Sequence, residues 1–262
     1  MNESTTLIDL LEKKGKLVAM IAPSFPIMFP YPAMITMLRK LGFSHVVEVA
    51  IGAKKTNEEL VKLLKENPHA RYITSPCPTI VRMIKKQMPQ YAKYFPPNVD
   101  SPMAATAKIV REKYPGYRPV FIGPCIMKKY EANEDIPELE ILVLTYRELS
   151  EVFSHFKISE SSDTNDHFDL SEPGMTKLYP IDGGLSHSSG LIHQLSKEEI
   201  YVTSGKENII TALETFDANK HIRLLDILYC PGGCIGGPGI ESTLTTDERK
   251  HRILEYTTQT SA

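Results

Sequence analysis

The residues with the most specific chemistry in this sequence are its four cysteines. Cys230 and Cys234 flank a turn of two glycines, which comes directly after an apolar run at residues 224–229. Cys77 and Cys125 each follow an apolar run that predicts a strand. An inert core cysteine is expected inside an apolar run, and none of the four lies in one. Their shared position at predicted strand ends indicates metal ligands, because a thiolate there can face a common site.

The spacing of the cysteines leaves more than one kind of site open. Zinc sites of four cysteines favour two short C-x2-4-C knuckles, and here only Cys230 and Cys234 form a close pair. An iron–sulfur cluster held by four thiolates fits at least as well. The glycine-rich run at residues 230–239 could also be a phosphate loop. That alternative is weak, because no Gly-Lys-Ser/Thr follows and no helix clearly begins there.

The composition is that of a globular protein with a hydrophobic core: 262 residues, of which 42% are hydrophobic and 24% charged. A formal net charge of -2 predicts no nucleic-acid partner. No apolar run approaches the roughly 20 residues of a membrane span, and the N-terminal residues lack the pattern of a signal peptide. The sequence therefore predicts a cytoplasmic protein without a membrane partner, in which structural disulfides are not expected.

An alternation of strands and helices predicts the elements that position the cysteines. Apolar runs at residues 17–22, 45–51 and 71–75 predict buried strands, and helical patterns at residues 34–41 and 57–66 separate them. This order predicts a doubly wound parallel sheet. In such a sheet, ligands bind at the carboxyl ends of the strands.

A second set of strands follows a break at Pro115, Gly116 and Pro119. The sequence predicts an α/β fold of two doubly wound lobes with parallel sheets, the first at residues 1–116 and the second at residues 117–262. The polar stretch at residues 157–176 is predicted to be a long surface loop. The strands predicted after the break lie at residues 120–122, 141–145, 178–181, 201–205 and 224–229.

The motifs around the cysteines resemble those of a known family. Six short motifs, in the same order along residues 18–239, resemble the cluster-binding pattern of the catalytic domain of [FeFe]-hydrogenases. The three that carry cysteines are T-S-P-C-P around Cys77, G-P-C-I-M-K-K-Y-E around Cys125, and C-P-G-G-C from Cys230 to Cys234. The other three are Ala22-Pro23-Ser24, Ser101-Pro102-Met103 and Gly183-Gly184.

This resemblance implies a metal cluster in the cleft between the two lobes. Cys77, Cys125 and Cys230 would hold a [4Fe-4S] cubane, and Cys234 would bridge it to a di-iron site that carries CO, cyanide and azadithiolate ligands. Lys128 would donate a hydrogen bond to a cyanide, although a solvated surface lysine is the simpler interpretation.

Other residues would border the same cofactor. Pro23, Ser24, Ser101, Pro102 and Gly184 would lie around it, although a strand-end turn or a helix start explains each of them as well. Glu131 would be a structural carboxylate that pairs with this region.

The sequence departs from the catalytic pattern at several positions. Pro76 stands where catalytic members have a proton-relay cysteine, and proline has no titratable group. Gly123 and Leu228 stand where methionines pack against the di-iron site, and no cysteines of a ferredoxin-like domain precede Cys77. These departures favour a hydrogen-sensing or slow hydrogenase module, with hydrogen oxidation or proton reduction if the di-iron site is loaded. The alternative is a [4Fe-4S]-only electron-transfer or assembly protein.

The resemblance also implies partners for such a module. A ferredoxin or ferredoxin-like domain would exchange electrons with the cubane, and H-cluster maturation proteins would insert the di-iron site. PAS-type signalling modules would be further partners of a sensory member.

Overall fold

A computed structural model of the chain describes residues 2–160 and 166–260. Its strands are β1 (Leu17–Ile21), β2 (His45–Glu48), β3 (Tyr72–Ile73), β4 (Arg118–Gly123), β5 (Leu142–Thr145), β6 (Ile200–Ser204) and β7 (Leu224–Leu228). Its α-helices are α1 (Glu3–Glu12), α2 (Ala33–Leu41), α3 (Ala50–Glu66), α4 (Pro78–Gln87), α5 (Pro102–Lys113), α6 (Met127–Tyr130), α7 (Tyr146–His155), α8 (Gly184–Ser188), α9 (Ile209–Ala218) and α10 (Thr246–Gln259). Shorter turns are π-helical at Glu131–Asp135 and 3₁₀ at Phe25–Ile27, Pro89–Tyr94, Pro137–Leu139, Met175–Leu178, Leu191–His193, Lys206–Asn208 and Cys234–Gly236.

The strands form two parallel sheets, with strand orders β2-β1-β4-β5 and β3-β7-β6. Every strand pair is parallel, so the carboxyl ends within each sheet share one edge. β1 and β7 are buried along their whole length, as expected for strands covered by helices on both faces. The α/β fold with parallel sheets that the sequence predicts is confirmed.

The two sheets do not divide the chain at residues 116 and 117. β1 pairs with β4 across that boundary, with Ala19 opposite Val120. β3 pairs with β7 across it as well. The predicted division into residues 1–116 and 117–262 is therefore corrected, because each sheet draws strands from both parts of the chain. The packing of the crossover connections decides which parallel strands become neighbours. The spacing of the strands along the chain does not reveal this packing.

The run at residues 45–51 is a strand only in its first part. β2 ends at Glu48, and α3 begins at Ala50, seven residues before the predicted helix start. The run is buried throughout, apart from its first and last residues. A short apolar run does not distinguish a buried strand from the start of a buried helix.

The predicted strand at residues 178–181 does not form. Met175–Leu178 is a 3₁₀ turn, and Ile181 makes only an isolated bridge to Gly233. Pro180 in the middle of the segment has no N–H to contribute to a ladder of hydrogen bonds. The segment is instead an irregular connection between the turn and α8.

The polar stretch at residues 157–176 is only partly a surface loop. The backbone N–H of Asp169 donates to the Val46 carbonyl, and that of Glu48 donates to the Leu170 carbonyl, each at 2.8 Å. The stretch thus adds backbone hydrogen bonds to the outer edge of β2. The prediction for residues 161–165 lies outside the described residues.

The α10 helix packs across loops at the carboxyl edge of the sheets. The Tyr256 ring meets the Phe25 ring edge-on, with 5.0 Å between ring centroids. Arg249 Nη1 donates to the Ile235 carbonyl at 2.9 Å. The helix therefore ties the loop after β1 to the loop after β7. No helix among the described residues is long and apolar enough to cross a bilayer.

A buried ion pair lies against α10. Glu48 Oε2 is 3.7 Å from Lys177 Nζ, and the two side chains are 0% and 2% exposed. The Tyr256 hydroxyl donates to Glu48 Oε1. Burial raises the pKa of Glu48 to about 7, although Lys177 and Tyr256 act in the opposite direction. Burial also lowers the pKa of Lys177.

Replacing Glu48 by Gln is expected to change how stability depends on pH. The pKa of Glu48 rises from 4.5 to about 7 on folding, so the folded chain binds more protons than the unfolded chain between these values. The contribution of Glu48 to stability is therefore complete below pH 4.5 and is lost as the pH rises through 7. Urea denaturation across this interval should show a smaller fall in stability for Glu48→Gln than for the wild type. Glu66→Gln, at an exposed position of α3, is the matched control. If the stability of Glu48→Gln falls with pH as steeply as that of Glu66→Gln, the expectation is wrong.

Candidate metal centre

The four cysteines lie at the carboxyl edges of the two sheets. Cys125 follows β4 in the first sheet. Cys77 follows β3, and Cys230 and Cys234 follow β7, in the second sheet. All four are free thiols, with Cys77 buried and the other three half-buried. One sheet therefore contributes one thiol and the other contributes three.

The thiols are close enough to oppose one another's ionisation. Burial, and after it Cys77, raises the pKa of Cys125 to about 11. Burial, followed by Cys77 and Cys125, raises the pKa of Cys230 to about 12. The pKa of Cys234 is raised well above its ordinary value by burial and then by the other three cysteines. The four sulfur atoms thus form one group, whose ionisation requires a compensating positive charge such as bound metal supplies.

Four cysteine thiolates are a donor set that more than one kind of metal centre uses. Among residues 2–160 and 166–260, no three His, Cys, Asp or Glu side chains are already placed to hold a metal ion. Tetrahedral zinc takes its sulfur ligands at about 2.3 Å from one centre. An iron–sulfur cubane instead takes its thiolates at separate iron atoms. The chemistry of the four thiols is compatible with either centre.

Gly233 shapes the turn between Cys230 and Cys234. Its φ of +99° lies in the left-handed region, which favours glycine. A Cβ at this position would also collide with the Pro180 carbonyl oxygen. The glycine thus provides the expected turn and lets the cysteine loop approach the segment that precedes α8.

A cavity lies beside the thiols, and Cys125 and Cys234 form part of its wall. Six residues expected from the sequence line it: Pro23, Ser24, Pro102, Cys125, Lys128 and Cys234. The rest of the lining is apolar apart from Tyr179, and consists of Ala22, Val49, Ala53, Pro76, Met103, Phe121, Pro124, Pro180 and Leu228. A mostly apolar pocket with a few placed polar groups is typical of a cofactor site.

Lys128 is held at the cavity wall by two fixed acceptors. Its Nζ donates to Glu131 Oε2 at 2.6 Å and to the Pro76 carbonyl at 3.2 Å. Glu131 Oε1 accepts a further hydrogen bond from Ser101 Oγ. Lys128 is only 8% exposed, so it is not a solvated surface lysine. An ammonium group has three protons, and two are used by these acceptors, so the third is available to the cavity.

Besides Cys77 and Cys230, two of the expected site residues do not line the cavity. Ser101 caps α5, because its Oγ accepts a hydrogen bond from the Ala104 N–H at 3.3 Å. The same Oγ donates a hydrogen bond to Glu131 Oε1 and so helps to position that carboxylate. A Cβ at Gly184 would collide with the Leu178 carbonyl oxygen. Gly184 therefore acts by allowing the segment that carries Tyr179 to pack against the start of α8.

The Ser24 hydroxyl is engaged within the protein. Tyr146 Oη donates to the Ala22 carbonyl at 2.7 Å, so it acts as the acceptor in its 2.9 Å contact with Ser24 Oγ. Ser24 and Tyr146 are both fully buried. Ser24 thus borders the cavity with its only hydroxyl proton directed away to Tyr146.

The sequence interpretation missed Tyr179 and Tyr146. Tyr179 fell in the run at residues 178–181 that predicted a strand, although the neighbouring Gly183-Gly184 motif was a signal that this loop approaches the site. Tyr146 directly follows β5, at the sheet edge where ligand-binding residues are expected. Its role depends on contacts to residues far away in the sequence, and the sequence carries no signal for these.

A comparison with known protein families agrees with the α/β fold and the four-cysteine site. The family described as "Iron only hydrogenase large subunit, C-terminal domain" matches residues 15–238, and the chain belongs to this family. The NADP-reducing hydrogenase subunit HndD of Solidesulfovibrio fructosivorans is 25% identical over 79% of the chain and 45% of its own length. Iron hydrogenase 1 of Clostridium pasteurianum is 24% identical over 78% of the chain and 44% of its own length. The chain thus spans less than half the length of these two relatives.

Solved structures show the same fold. A variant of the [FeFe]-hydrogenase HydA1 from Chlamydomonas reinhardtii superposes with a TM-score of 0.73 over 97% of this chain and 88% of that one. The two sequences are 19% identical. A second HydA structure, determined to reveal stepwise H-cluster assembly, gives a TM-score of 0.71 at 18% identity and the same coverage.

Replacing Glu131 by Ala is expected to destabilise the metal-free protein by about 3–5 kcal/mol, since it leaves the Lys128 ammonium buried without its partner. Adding Lys128→Met should recover most of this loss. Glu66→Ala removes the partner of the exposed Lys62 and should cost less than about 1 kcal/mol. Free energies of unfolding from chemical denaturation measure all three changes. A double variant no more stable than Glu131→Ala would show that the buried charge is not the cause.

Proposed function

We propose that this chain is a hydrogen-sensing or slow hydrogenase module. In this proposal Cys77, Cys125, Cys230 and Cys234 bind a [4Fe-4S] cluster, and the adjoining cavity takes a di-iron site with CO, cyanide and azadithiolate ligands. The observation that carries the proposal is the group of four free thiols at strand ends beside a largely apolar cavity with a buried ammonium in its wall. Membership of the hydrogenase family supports the same function.

The residues present fit this pair of groups. Cys234 lines the cavity and interacts electrostatically with the other three cysteines, so it is the residue proposed to bridge the two metal sites. Cys125 also lines the cavity, whereas Cys77 and Cys230 do not. Lys128 offers a fixed cationic donor to an anionic ligand such as cyanide.

The protein's own contribution at the cavity is positioning and exclusion of water. When bound, the di-iron group supplies the open iron position at which hydrogen is split or formed. Phe121, Met103 and Leu228 give the cavity an apolar wall, which keeps water out and strengthens the hydrogen bond from Lys128. Glu131 and the Pro76 carbonyl hold the Lys128 ammonium in place, so the donor is oriented before the group binds.

Slow turnover or sensing is proposed because the cavity wall offers little for proton transfer. Pro76 contributes only a backbone carbonyl, which accepts from Lys128 and cannot release a proton. The Ser24 hydroxyl proton is directed to Tyr146. Leu228 and Gly123 replace the longer methionine side chains that the resemblance implies.

A [4Fe-4S]-only electron-transfer or assembly protein is the second candidate. The observation in its favour is that few polar groups around the cavity are free to contact a bound group. A cubane on four thiolates needs no such contacts, because it needs no pocket beside it. The two candidates share the thiol site and differ in whether the cavity is filled.

The partners proposed with this function are a ferredoxin or ferredoxin-like domain, H-cluster maturation proteins and PAS-type signalling modules. Ile126, the residue after Cys125, and Tyr130, at the end of α6, support an electron partner, because they are 46% and 50% exposed. Exposed apolar side chains near a proposed cluster ligand let a small partner dock there. Electrons then cross only a short distance between the partner and the cluster. The formal net charge of -2 supports neither nucleic acid nor an anionic membrane as a partner.

Anaerobic infrared spectroscopy of protein matured with the di-iron cofactor tests the proposal. Bands of iron-bound CO and cyanide are expected in the matured protein. If iron and sulfide bind but these bands never appear, the [4Fe-4S]-only alternative replaces the proposal. A colourless protein that carries one zinc ion would contradict both iron-based functions.

Cys77→Ala is expected to abolish loading of the cubane, which otherwise brings about four iron atoms per chain. The reason is that each corner of the cluster needs its own thiolate. Ser75→Ala changes a residue two positions earlier that bears no thiol, and it should load normally. Iron and sulfide contents after anaerobic reconstitution measure both variants, and full loading of Cys77→Ala would remove Cys77 from the ligand set.

A further inference from the structure

We propose that β6 is a dimer interface, at which two copies of this chain pair their β6 strands antiparallel about Val202. β6 is the last strand of its sheet, in the order β3-β7-β6, so one of its edges has no neighbouring strand in the part of the chain that the structure describes. Such an edge presents N–H and carbonyl groups that can pair with another strand. The inference goes beyond the proposed function, because no residue of β6 lines the cavity.

The backbone of Val202 faces this uncovered edge. On the covered side, the Glu199 carbonyl accepts from the Leu224 N–H at 3.0 Å. The Gly205 N–H likewise donates to the Leu228 carbonyl at 3.2 Å. Successive residues of a strand direct their backbone groups to opposite sides, so the odd-numbered residues of β6 face β7. Val202 therefore directs both its N–H and its carbonyl away from β7.

The strand lacks the features that usually block an open edge. It is five residues long, Ile200–Ser204, and the sequence I-Y-V-T-S contains neither a charge nor a proline. Val202, at its centre, is 39% exposed. Ile210 lies in the first turn of α9, which packs against β6, and is 57% exposed. The outer edge of β2 in the other sheet is instead covered by backbone hydrogen bonds with residues 169 and 170.

The charges that flank β6 identify the partner as a second copy of this chain. Lys197 and Glu198 precede the strand, and both are exposed. Lys206 and Glu207 follow it and are exposed as well. Antiparallel pairing centred on Val202 brings Lys197 beside Glu207 of the second copy, and Glu198 beside its Lys206. Each charge thus meets its opposite, and the two-fold symmetry of the dimer makes both pairs twice.

The centre at Val202 also fits the backbone. Two copies of Val202 then lie opposite each other with outward-facing groups, so they exchange both of their backbone hydrogen bonds. Centring the pair on Tyr201 instead would leave the four flanking charges without partners. Centring it on Thr203 would bring Glu199 beside Glu207 of the second copy, and like charges opposite each other destabilise a strand pair. The charges therefore select one register among those that the backbone allows.

A charge exchange measured by sedimentation equilibrium tests the inference on the metal-free chain. The wild type is expected to show a concentration-dependent equilibrium between one chain and two. Lys206→Glu should raise the dissociation constant at least about tenfold, because two symmetry-related attractions become repulsions. Adding Glu198→Lys restores opposite charges and should return the dissociation constant to near the wild-type value. Lys13→Glu makes the same change of charge at the exposed end of α1 and should leave the equilibrium unaltered.

Three results of this experiment would overturn the inference. One is a wild type that stays a single chain at every concentration. Another is a dimer whose dissociation constant is the same in Lys206→Glu and in Lys13→Glu. The third is a double variant that dissociates as readily as Lys206→Glu, since opposite charges would then not be what holds the copies together.

Hydrogen–deuterium exchange locates the interface independently of the mass measurement. The Val202 N–H should exchange more slowly in concentrated wild-type protein than in dilute protein, because it is bonded only in the dimer. In Lys206→Glu, the rate should depend less on concentration. A Val202 N–H that exchanges equally fast in dimer and single chain would show that the copies meet elsewhere, and the inference would be wrong.

Discussion

The site depends on one geometric constraint, the common direction of parallel strands. Because all strands in a parallel sheet end at the same edge, residues that follow them become neighbours regardless of their separation in the sequence. Cys125 follows a strand of one sheet, and Cys77, Cys230 and Cys234 follow strands of the other. The cavity lies where these edges face each other, so its walls come from both sheets.

Charge is the second constraint on this site. Burial and neighbouring thiols raise the pKa of Cys125, Cys230 and Cys234, and the buried ammonium of Lys128 lies in the cavity wall nearby. Without metal, the stable form of these three groups is the neutral thiol, and the Lys128 cation is compensated by Glu131. Metal binding must displace several protons from this arrangement, so loading is linked to pH. The same low dielectric that opposes ionisation of the thiols strengthens the hydrogen bonds of Lys128 once its partners are in place.

The sequence indicated the cysteine motifs and Lys128 more directly than the residues around them, for physical reasons. The cysteines and Lys128 lie in short motifs next to apolar runs, and such local patterns are visible along the chain. The division at residues 116 and 117 was wrong because strand pairing depends on crossover packing between distant segments. Tyr179 was missed because a short apolar run around Pro180 has the composition of a strand but lacks the N–H that a strand needs. The direction of the Ser24 hydroxyl proton depends on Tyr146 and Ala22 together, and only coordinates reveal it.

The position of α10 has a consequence for how the cavity forms. This last helix of the described chain touches the loop after β1 through Tyr256 and the loop of Cys234 through Arg249. Two loops that carry cavity-lining residues are therefore held in place by a helix that lies outside the cavity wall. Contacts this distant in sequence form late and slowly in folding. A pocket shaped by such contacts is formed by folding as a whole and not by the cysteine motifs alone.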